Sequence, residues 1–341
     1  MEATAFAPGR VNLIGEHTDY NAGLALPFAI GQGVTVRARR NGGRQWIAYA
    51  QDLRETDAFD SPVQAATGWR AFPRGVVATL RERGYDLAPC EMWITGTVPQ
   101  GSGLSSSAAL EVSLSMALLA LAGVNESTVD RMKLAGWCST VENEWVGARA
   151  GPLDQLAVLF GTANHALKID FQTLEIATVK CDLEGWRLVT LDSGSSHSNA
   201  TSGYNRRREE CEAACRELGI PSLREATLDQ LSSLRSPLRQ RAQHVFDENK
   251  RVLAAVAALR DRNWPDVALL LTQSHTSLRD LYECSNEAIE QTVRYMLDCG
   301  AEGARLIGGG FGGHVLGLFP PSAQPPQAAI SVRPQGGARL M

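Results

Sequence analysis

Val98-Pro-Gln-Gly-Ser-Gly-Leu-Ser-Ser-Ser-Ala-Ala-Leu-Glu111 is the stretch from which the fold is most readily read. The residues before it, 92–98, alternate as a strand does, and the Ser- and Ala-rich run over roughly 105–122 predicts a helix stopped by Gly123. A strand, a glycine-rich turn and a helix opening on small residues form an anion site. The first-turn N–H groups lack helical partners, and the macrodipole adds positive potential there. Gly101 and Gly103 let backbone approach an oxyanion closely, and Ser105, Ser106 and Ser107 add hydroxyls. A Walker loop is excluded because no Lys follows the glycines, and the dinucleotide fingerprint fails at its third glycine, where Ser106 stands. A capped small-residue helix packed tightly on a sheet fits this segment equally well, so the segment alone does not decide.

Two other stretches bear on the choice. Residues 7–23, APGRVNLIGEHTDYNAG, crowd Arg10, Glu16, His17, Asp19 and Tyr20 between two apolar runs. Carboxylates accept hydrogen bonds from neighbouring hydroxyls, so such a loop suits a hydroxyl-rich ligand, although an ordinary polar surface loop has the same composition. Residues 303–317, GARLIGGGFGGHVLG, end one strand in glycines and open another. A tight turn accounts for some of these glycines; close approach to a ligand accounts better for so many, given their entropic cost.

The rest of the chain sets the frame. Its 341 residues exceed what one core usually fills, so two domains are expected, with 44% hydrophobic and 21% charged residues. The net charge is −4 and Lys occurs only at 133, 168, 180 and 250, so there is no basic stripe and nucleic acid is not an expected partner. The start, MEATAFAPGRVNLIGE, has no signal-peptide pattern, and the apolar stretch around 113–123 is too short to span a bilayer, so a cytoplasmic, membrane-free protein is expected. Seven scattered cysteines, with Cys211 and Cys215 lacking a second pair for zinc, read as reduced thiols.

Periodicity predicts strands at 2–6, 24–30 and 33–39, a hairpin over 44–51 with its turn at 52–54, and a helix over 69–83. A further helix is predicted over 128–147, capped by Ser127 or Thr128. Strands at 165–170 and 187–191 bracket a turn-rich stretch. A loop over 192–203 precedes helices at 206–218, 237–259, 264–282 and 286–298, and strands at 303–307 and 314–319 close the pattern.

Together these stretches carry a resemblance. PGRVNLIGEHTDYNAG looks like the galactokinase signature, GSGLSSSAALE like the phosphate loop of the GHMP kinases, and GGGFGGHV like that family's third glycine motif. ENEWVGARAGPLDQL (142–156), SGYNRRREEC (202–211) and SHTSLRDLYECS (274–285) also match, in family order. The resemblance implies an α+β, two-domain GHMP kinase fold. Its N-terminal ribosomal-S5-like α/β domain would span 1–165, and its C-terminal ferredoxin-like α+β domain 166–341, shortened at its end. It implies transfer of the ATP γ-phosphoryl group to the C1 hydroxyl of galactose, with ATP and Mg2+ as cofactors and a monomer or homodimer as the working form.

Residue by residue, the resemblance gives Asp154 the role of base and Arg10 that of its charge-steadying neighbour. Glu16, His17, Asp19, Gly151, Asp154 and Tyr204 match sugar-contacting positions. Gly101, Ser102, Gly103, Leu104, Ser105, Ser106, Ser107 and Ala108 would cradle ATP, and Ser106 or Ser107 with Glu142 would hold Mg2+. Asp154 taken by itself reads as a helix-capping aspartate, and only the resemblance outweighs that reading.

Three departures from the family pattern stand out: His314 where Cys is usual, DSGSSHSNATSG before Tyr204, and a tail in which the helix after Pro320 is largely missing. The alternatives kept are a related sugar 1-kinase acting on galacturonate, arabinose or N-acetylgalactosamine, and a non-catalytic galactose/ATP sensor. A nicotinamide dehydrogenase is disfavoured by the missing third glycine.

Overall fold

Long alternating strands in the first hundred residues demand a helical cover for their apolar face, and the apolar run after the serines supplies it. The computed structural model describes residues 1–99, 103–195 and 200–341. Strands β1 (Glu2–Asn12), β2 (Leu24–Ala25), β3 (Pro27–Arg40), β4 (Trp46–Ala50) and β5 (Glu55–Phe59) precede helix α1 (Ala71–Glu82) and β6 (Cys90–Gly96). Helices α2 (Ser106–Leu121), α3 (Arg131–Thr140) and α4 (Leu153–Phe160) follow. Next come β7 (His165–Asp170), β8 (Glu175–Lys180), β9 (Arg187–Asp192), α5 (Ala200–Leu218) and α6 (Leu228–Ser233). Helices α7 (Leu238–Arg260), α8 (Trp264–Asp280) and α9 (Glu287–Asp298) lead to β10 (Gly303–Leu306), β11 (His314–Phe319), β12 (Ile330–Val332) and β13 (Arg339–Leu340).

The first sheet runs β13-β1-β3-β6-β4-β5, with β4 parallel to β6 and its other neighbours antiparallel. Helix α2 packs across β1 and β3 and is apolar on nearly all sides, as a helix enclosed by other elements must be. The second sheet, β10-β11-β9-β12, has every residue of β10 and β11 buried. A three-stranded sheet, β2-β7-β8, joins the two halves, and β13 returns the chain's end to β1.

The register of β1 on β3 shifts between Pro8 and Arg10. A Cβ on Gly9 would lie 2.6 Å from the Leu104 carbonyl oxygen, and the Arg10 N–H donates to that same oxygen at 3.1 Å. At this irregularity, where three residues of β3 face Gly9 alone, β1 docks against the loop entering α2 and Arg10 reaches it.

Several local expectations are corrected. The strands expected at 24–30 and 33–39 are mostly one, β3, which runs through the glycine interruption by bulging, residues 30–32 of β3 facing the single Gly9 of β1. The turn-rich stretch after Asp170 contains β8, whose side chains are mostly exposed and so lack apolar alternation. The cap of α3 is Asp130, which accepts from the N–H groups of Met132 and Lys133; Ser127 and Thr128 lie in a preceding short turn. The helix expected over 128–147 ends at Thr140, and Val141–Val146 form a wide π-helical turn. Helix α5 starts at Ala200, before the expected Arg206, and α6 begins with a Thr227–Gln230 capping box that periodicity did not flag. No helix intervenes between Phe319 and Ile330, and β12 supplies the fourth strand of the second sheet. His314 is the buried first residue of β11. The seven cysteines form no disulfide.

Candidate active site

One face of α7 fastens the polar loop that leaves β1. The loop's main chain would otherwise carry unmatched donors and acceptors into the interior. The Gly15 N–H donates to Glu248 at 2.9 Å, the Leu24 N–H to Asn249 at 2.7 Å, and His244 Nε2 donates to the Glu16 carbonyl at 3.2 Å. Residues 244 and 248 are one turn apart, so a single helical stripe holds the loop. Burial opposes the charge of Glu248, but Arg251 at 2.6 Å, with His244 and Arg305, outweighs it and holds the carboxyl at about 2. Burial pushes His244 down to about 4. The neutral ring accepts from the Ser277 hydroxyl at 2.8 Å while donating to Glu16.

The loop's own side chains turn the other way, into a cavity of about 310 Å3. Glu16 pairs with the fully buried Arg305 at 3.0 Å and accepts the Gly308 N–H at 2.8 Å. Arg305 also donates to the carbonyls of Leu13 at 2.8 Å and Leu306 at 3.0 Å, tying the loop to the third glycine motif. His17 donates through Nε2 to the Gly309 carbonyl, which fixes Nδ1 as acceptor from Tyr20, 2.7 Å away. Tyr20 then accepts from Tyr282 at 2.8 Å, and Tyr282 from Cys211 at 3.2 Å, giving one directed chain. This tautomer agrees with burial lowering His17 to about 3. Tyr204 packs over the His17 ring at 5.2 Å and lines the same cavity. Asp19 lies against backbone: a Cβ on Gly151 would come within 2.2 Å of its carboxylate.

On the facing wall is the start of α2. Ser105, the N-cap residue, has φ 59 and its side chain caps none of the helix's N–H groups. Its hydroxyl donates instead to Asp154. The first-turn donors are therefore not consumed by their own cap, which favours the anion site over the simply capped helix. Arg10 lies 2.6 Å from the other Asp154 oxygen and donates to the Gly103 carbonyl at 2.5 Å. Ser107 donates to Glu142 at 2.9 Å, and Gln155 to the other Glu142 oxygen at 2.7 Å. Burial, then the charge of Asp154, raises Glu142 to about 7. The same two causes, in the same order, raise Asp19 to about 7.

The sequence-predicted residues Arg10, Glu16, His17, Asp19, Gly103, Ser105, Ser106, Ser107, Glu142, Gly151, Asp154 and Tyr204 thus line one cavity. Leu104 and Ala108 are buried beside it, able to offer main chain only, while Gly101 and Ser102 lie outside the described residues. A second cavity, of about 530 Å3, shares Ser106 and Ser107 with the first and is otherwise walled chiefly by Leu53, Trp69, Phe72, Leu110 and Val146. Sequence reasoning missed Trp69 and Phe72, which read only as helix periodicity. It also missed Arg305, although a lone arginine in an apolar strand was a usable signal. Among the described residues no group of three or more His, Cys, Asp or Glu side chains could hold a metal, and no helix is long and apolar enough to cross a membrane.

Residues 71–162 match the GHMP kinases N terminal domain and residues 255–334 the GHMP kinases C terminal domain. Fold and site together define the class as a GHMP kinase, with the α+β, two-domain architecture of that family. Residues 1–40 match the galactokinase galactose-binding signature. The galactokinase of Thermotoga maritima is 41% identical over 313 residues, covering 92% of this chain and 88% of its own. That of Roseiflexus sp. is 41% identical over 324 residues, covering 92% and 82%. The crystal structure of Lactococcus lactis galactokinase complexed with galactose superposes with a TM-score of 0.92 at 29% identity, covering 99% of this chain and 95% of that one. The chain belongs to the galactokinase family.

Two outcomes follow from this geometry. Replacing Arg305 by Met leaves Glu16 buried without its cation, which should cost about 3–5 kcal/mol in a urea unfolding titration; a loss below about 1 kcal/mol would show the pair to be dispensable. For Asp19 the folded carboxyl binds its proton more tightly than the unfolded one, whose value is 3.8. The unliganded protein should therefore lose stability as pH rises from about 4 to about 7, and change little from this group above that. Thermal melts of Asp19→Asn across that window should show a weaker decline than wild type.

Proposed function

We propose that the chain transfers the γ-phosphoryl group of ATP to the C1 hydroxyl of galactose. The observation that carries this reading is the position of Asp154. It is held by Arg10 on one oxygen and Ser105 on the other, between the polar loop and the start of α2. Asp154 would take the C1 proton. The freed oxygen bonds to the γ-phosphorus as the bond to the β–γ bridging oxygen breaks and ADP departs. Arg10 offsets negative charge at that point, and the first-turn N–H groups of α2 hold phosphate oxygens. Glu16, Asp19, His17, Tyr204 and the Gly151 backbone surround the sugar. Glu16, paired with Arg305, accepts from a neutral hydroxyl, whereas the carboxylate of a uronate has no hydrogen to donate to it. This favours galactose over a uronate. The intact Asp154–Arg10 pair argues against a sensor without catalysis.

The residues present suit Mg2+. Glu142 is a buried carboxylate with no cation hydrogen-bonded to it among the described residues, and it shares Ser107 as a neighbouring oxygen ligand. Ser107 and Glu142, with Ser106 beside them, would hold the ion. When bound it neutralises phosphate charge, and since Mg2+ keeps several waters, one carboxylate and one or two hydroxyls suffice. The apolar cavity around Trp69 and Phe72 adjoins these serines and fits a purine base.

ATP consumption should be screened over galactose, galactosamine, N-acetylgalactosamine, galacturonate, arabinose and glucose, with wild type and Asp154→Asn. Galactose should stimulate turnover most, and the variant should lose about 10²–10⁴-fold in kcat while still binding the sugar. No stimulation by any sugar would end the kinase reading, and near-normal turnover in the variant would remove Asp154 as base. In the same assay Trp69→Ala should raise KM for ATP roughly ten-fold, since a stacked base is worth about 1–3 kcal/mol, and leave KM for galactose unchanged.

A further inference from the structure

Glu111 lies in α2, below the serines, and is fully buried. Its Oε2 accepts from Gln155 Nε2 at 3.2 Å, and that same nitrogen donates to Glu142 Oε2 at 2.7 Å. Both hydrogens of the Gln155 amide are thereby used. Two buried oxygens remain without a partner among the described residues: Glu111 Oε1 and Gln155 Oε1. Each is an acceptor as long as Glu111 is ionised, so neither can satisfy the other. The charged groups bearing on Glu111 are Glu142 and Asp154, both negative, and the Cys138 thiol lies nearby on α3. A single proton removes the conflict. Placed on Glu111 Oε1, it would give that oxygen a hydrogen to donate, with Gln155 Oε1 the unpartnered acceptor of the same pair, while the Gln155 N–H donates to Oε2. The pair would then hold no buried net charge.

We infer that Glu111 is a neutral carboxylic acid that locks the Gln155 amide, and through it the orientation in which Glu142 meets its cation. Glu111 is thus a positioning residue, acting on the cation only through Gln155 and Glu142. Burial, with Glu142 next, pushes the Glu111 carboxyl well above the usual range in the same direction. The inference rests on the reading of Glu142 as the Mg2+ ligand. The state of Glu111 itself can be observed without that reading.

Two measurements test it. Infrared difference spectra between wild type and Glu111→Gln, recorded on the unliganded protein well above neutrality, should show loss of one protonated-carboxyl carbonyl band. Absence of that band in wild type would overturn the neutral acid. Binding of Mn2+ in the presence of ADP, followed by electron paramagnetic resonance, reads the positioning role. Glu111→Gln preserves both hydrogen bonds to Gln155 and should bind within about two-fold of wild type. Glu111→Met removes both and should bind about ten-fold more weakly, the effect expected when a ligand loses its supporting shell. Equal weakening in both variants would assign Glu111 a charge rather than a neutral role, and no weakening in Glu111→Met would overturn positioning. Should Glu111→Met not fold, the infrared band and the Gln variant still decide the protonation state. Glu142→Gln is the separate control. If it binds Mn2+ and ADP as wild type does, the assignment of Glu142 as ligand fails, whatever Glu111 does.

Discussion

The guanidinium of Arg10 joins the two halves of the site, contacting the Gly103 carbonyl and the Asp154 carboxylate at once. A buried cation needs a counter-charge and hydrogen-bond acceptors, so its position constrains three pieces of chain: β1 at Gly9, the loop entering α2 and the start of α4. The missing side chain at Gly9 makes the contact sterically feasible, because Gly9 lies against the Leu104 carbonyl where a Cβ would not fit. Moving any of these pieces would leave the buried arginine without its carboxylate.

Around that contact the cavity carries more negative than positive charge. Asp19, Glu142, Glu16 and Asp154 line it, and among the described residues Arg10 is its one lining Arg or Lys, with Arg305 behind Glu16. Burial first, and the charge of Asp154 second, raise Glu142 and Asp19 to about 7. On the proposed reading, a cation at Glu142 and hydroxyl donors at Asp19 would offset this repulsion. The carboxylates are therefore better matched to the occupied site than to the empty one, which is the sense in which such a pocket is preorganised.

Much of this could be read from the sequence, and the reasons the rest could not are physical. Ordered motifs named most of the cavity-lining side chains because several of them stand together in family order, whereas the polar loop alone reads equally as surface. Helix ends were legible where a cap was alone, as at Asn286 before α9, which accepts the Ile289 N–H. They were not legible where candidates crowded together: Asn125, Ser127, Thr128 and Asp130 all have capping chemistry, and only the geometry selected Asp130 for α3. Strand β8 escaped because a mostly exposed strand carries no apolar period. Arg305, Gln155 and the His244–Glu248–Asn249 stripe escaped for another reason. They act on other residues' orientations from elements distant in sequence, and periodicity reports only which face of an element is buried.

The same distinction accounts for where the backbone departs from regularity. Ser105, His17 and Phe311 adopt left-handed φ values of 59, 60 and 62, and all three lie in or beside the walls of the cavity. Ser105 pays with an unusual cap conformation and forgoes its capping bond to hold Asp154. The wide turn at Val141–Val146 does the equivalent for Glu142. A continued α-helix would keep strict i→i+4 spacing from α3, whereas the wide turn resets the phase just where Glu142 must face Ser107 and Gln155 at once. Such local strain is held in place only by the packing around it. Here that packing comes from α2 and the first sheet on one side and from α7 and β10 on the other. Both layers are therefore needed for the site's geometry, even though each supplies only part of its chemistry.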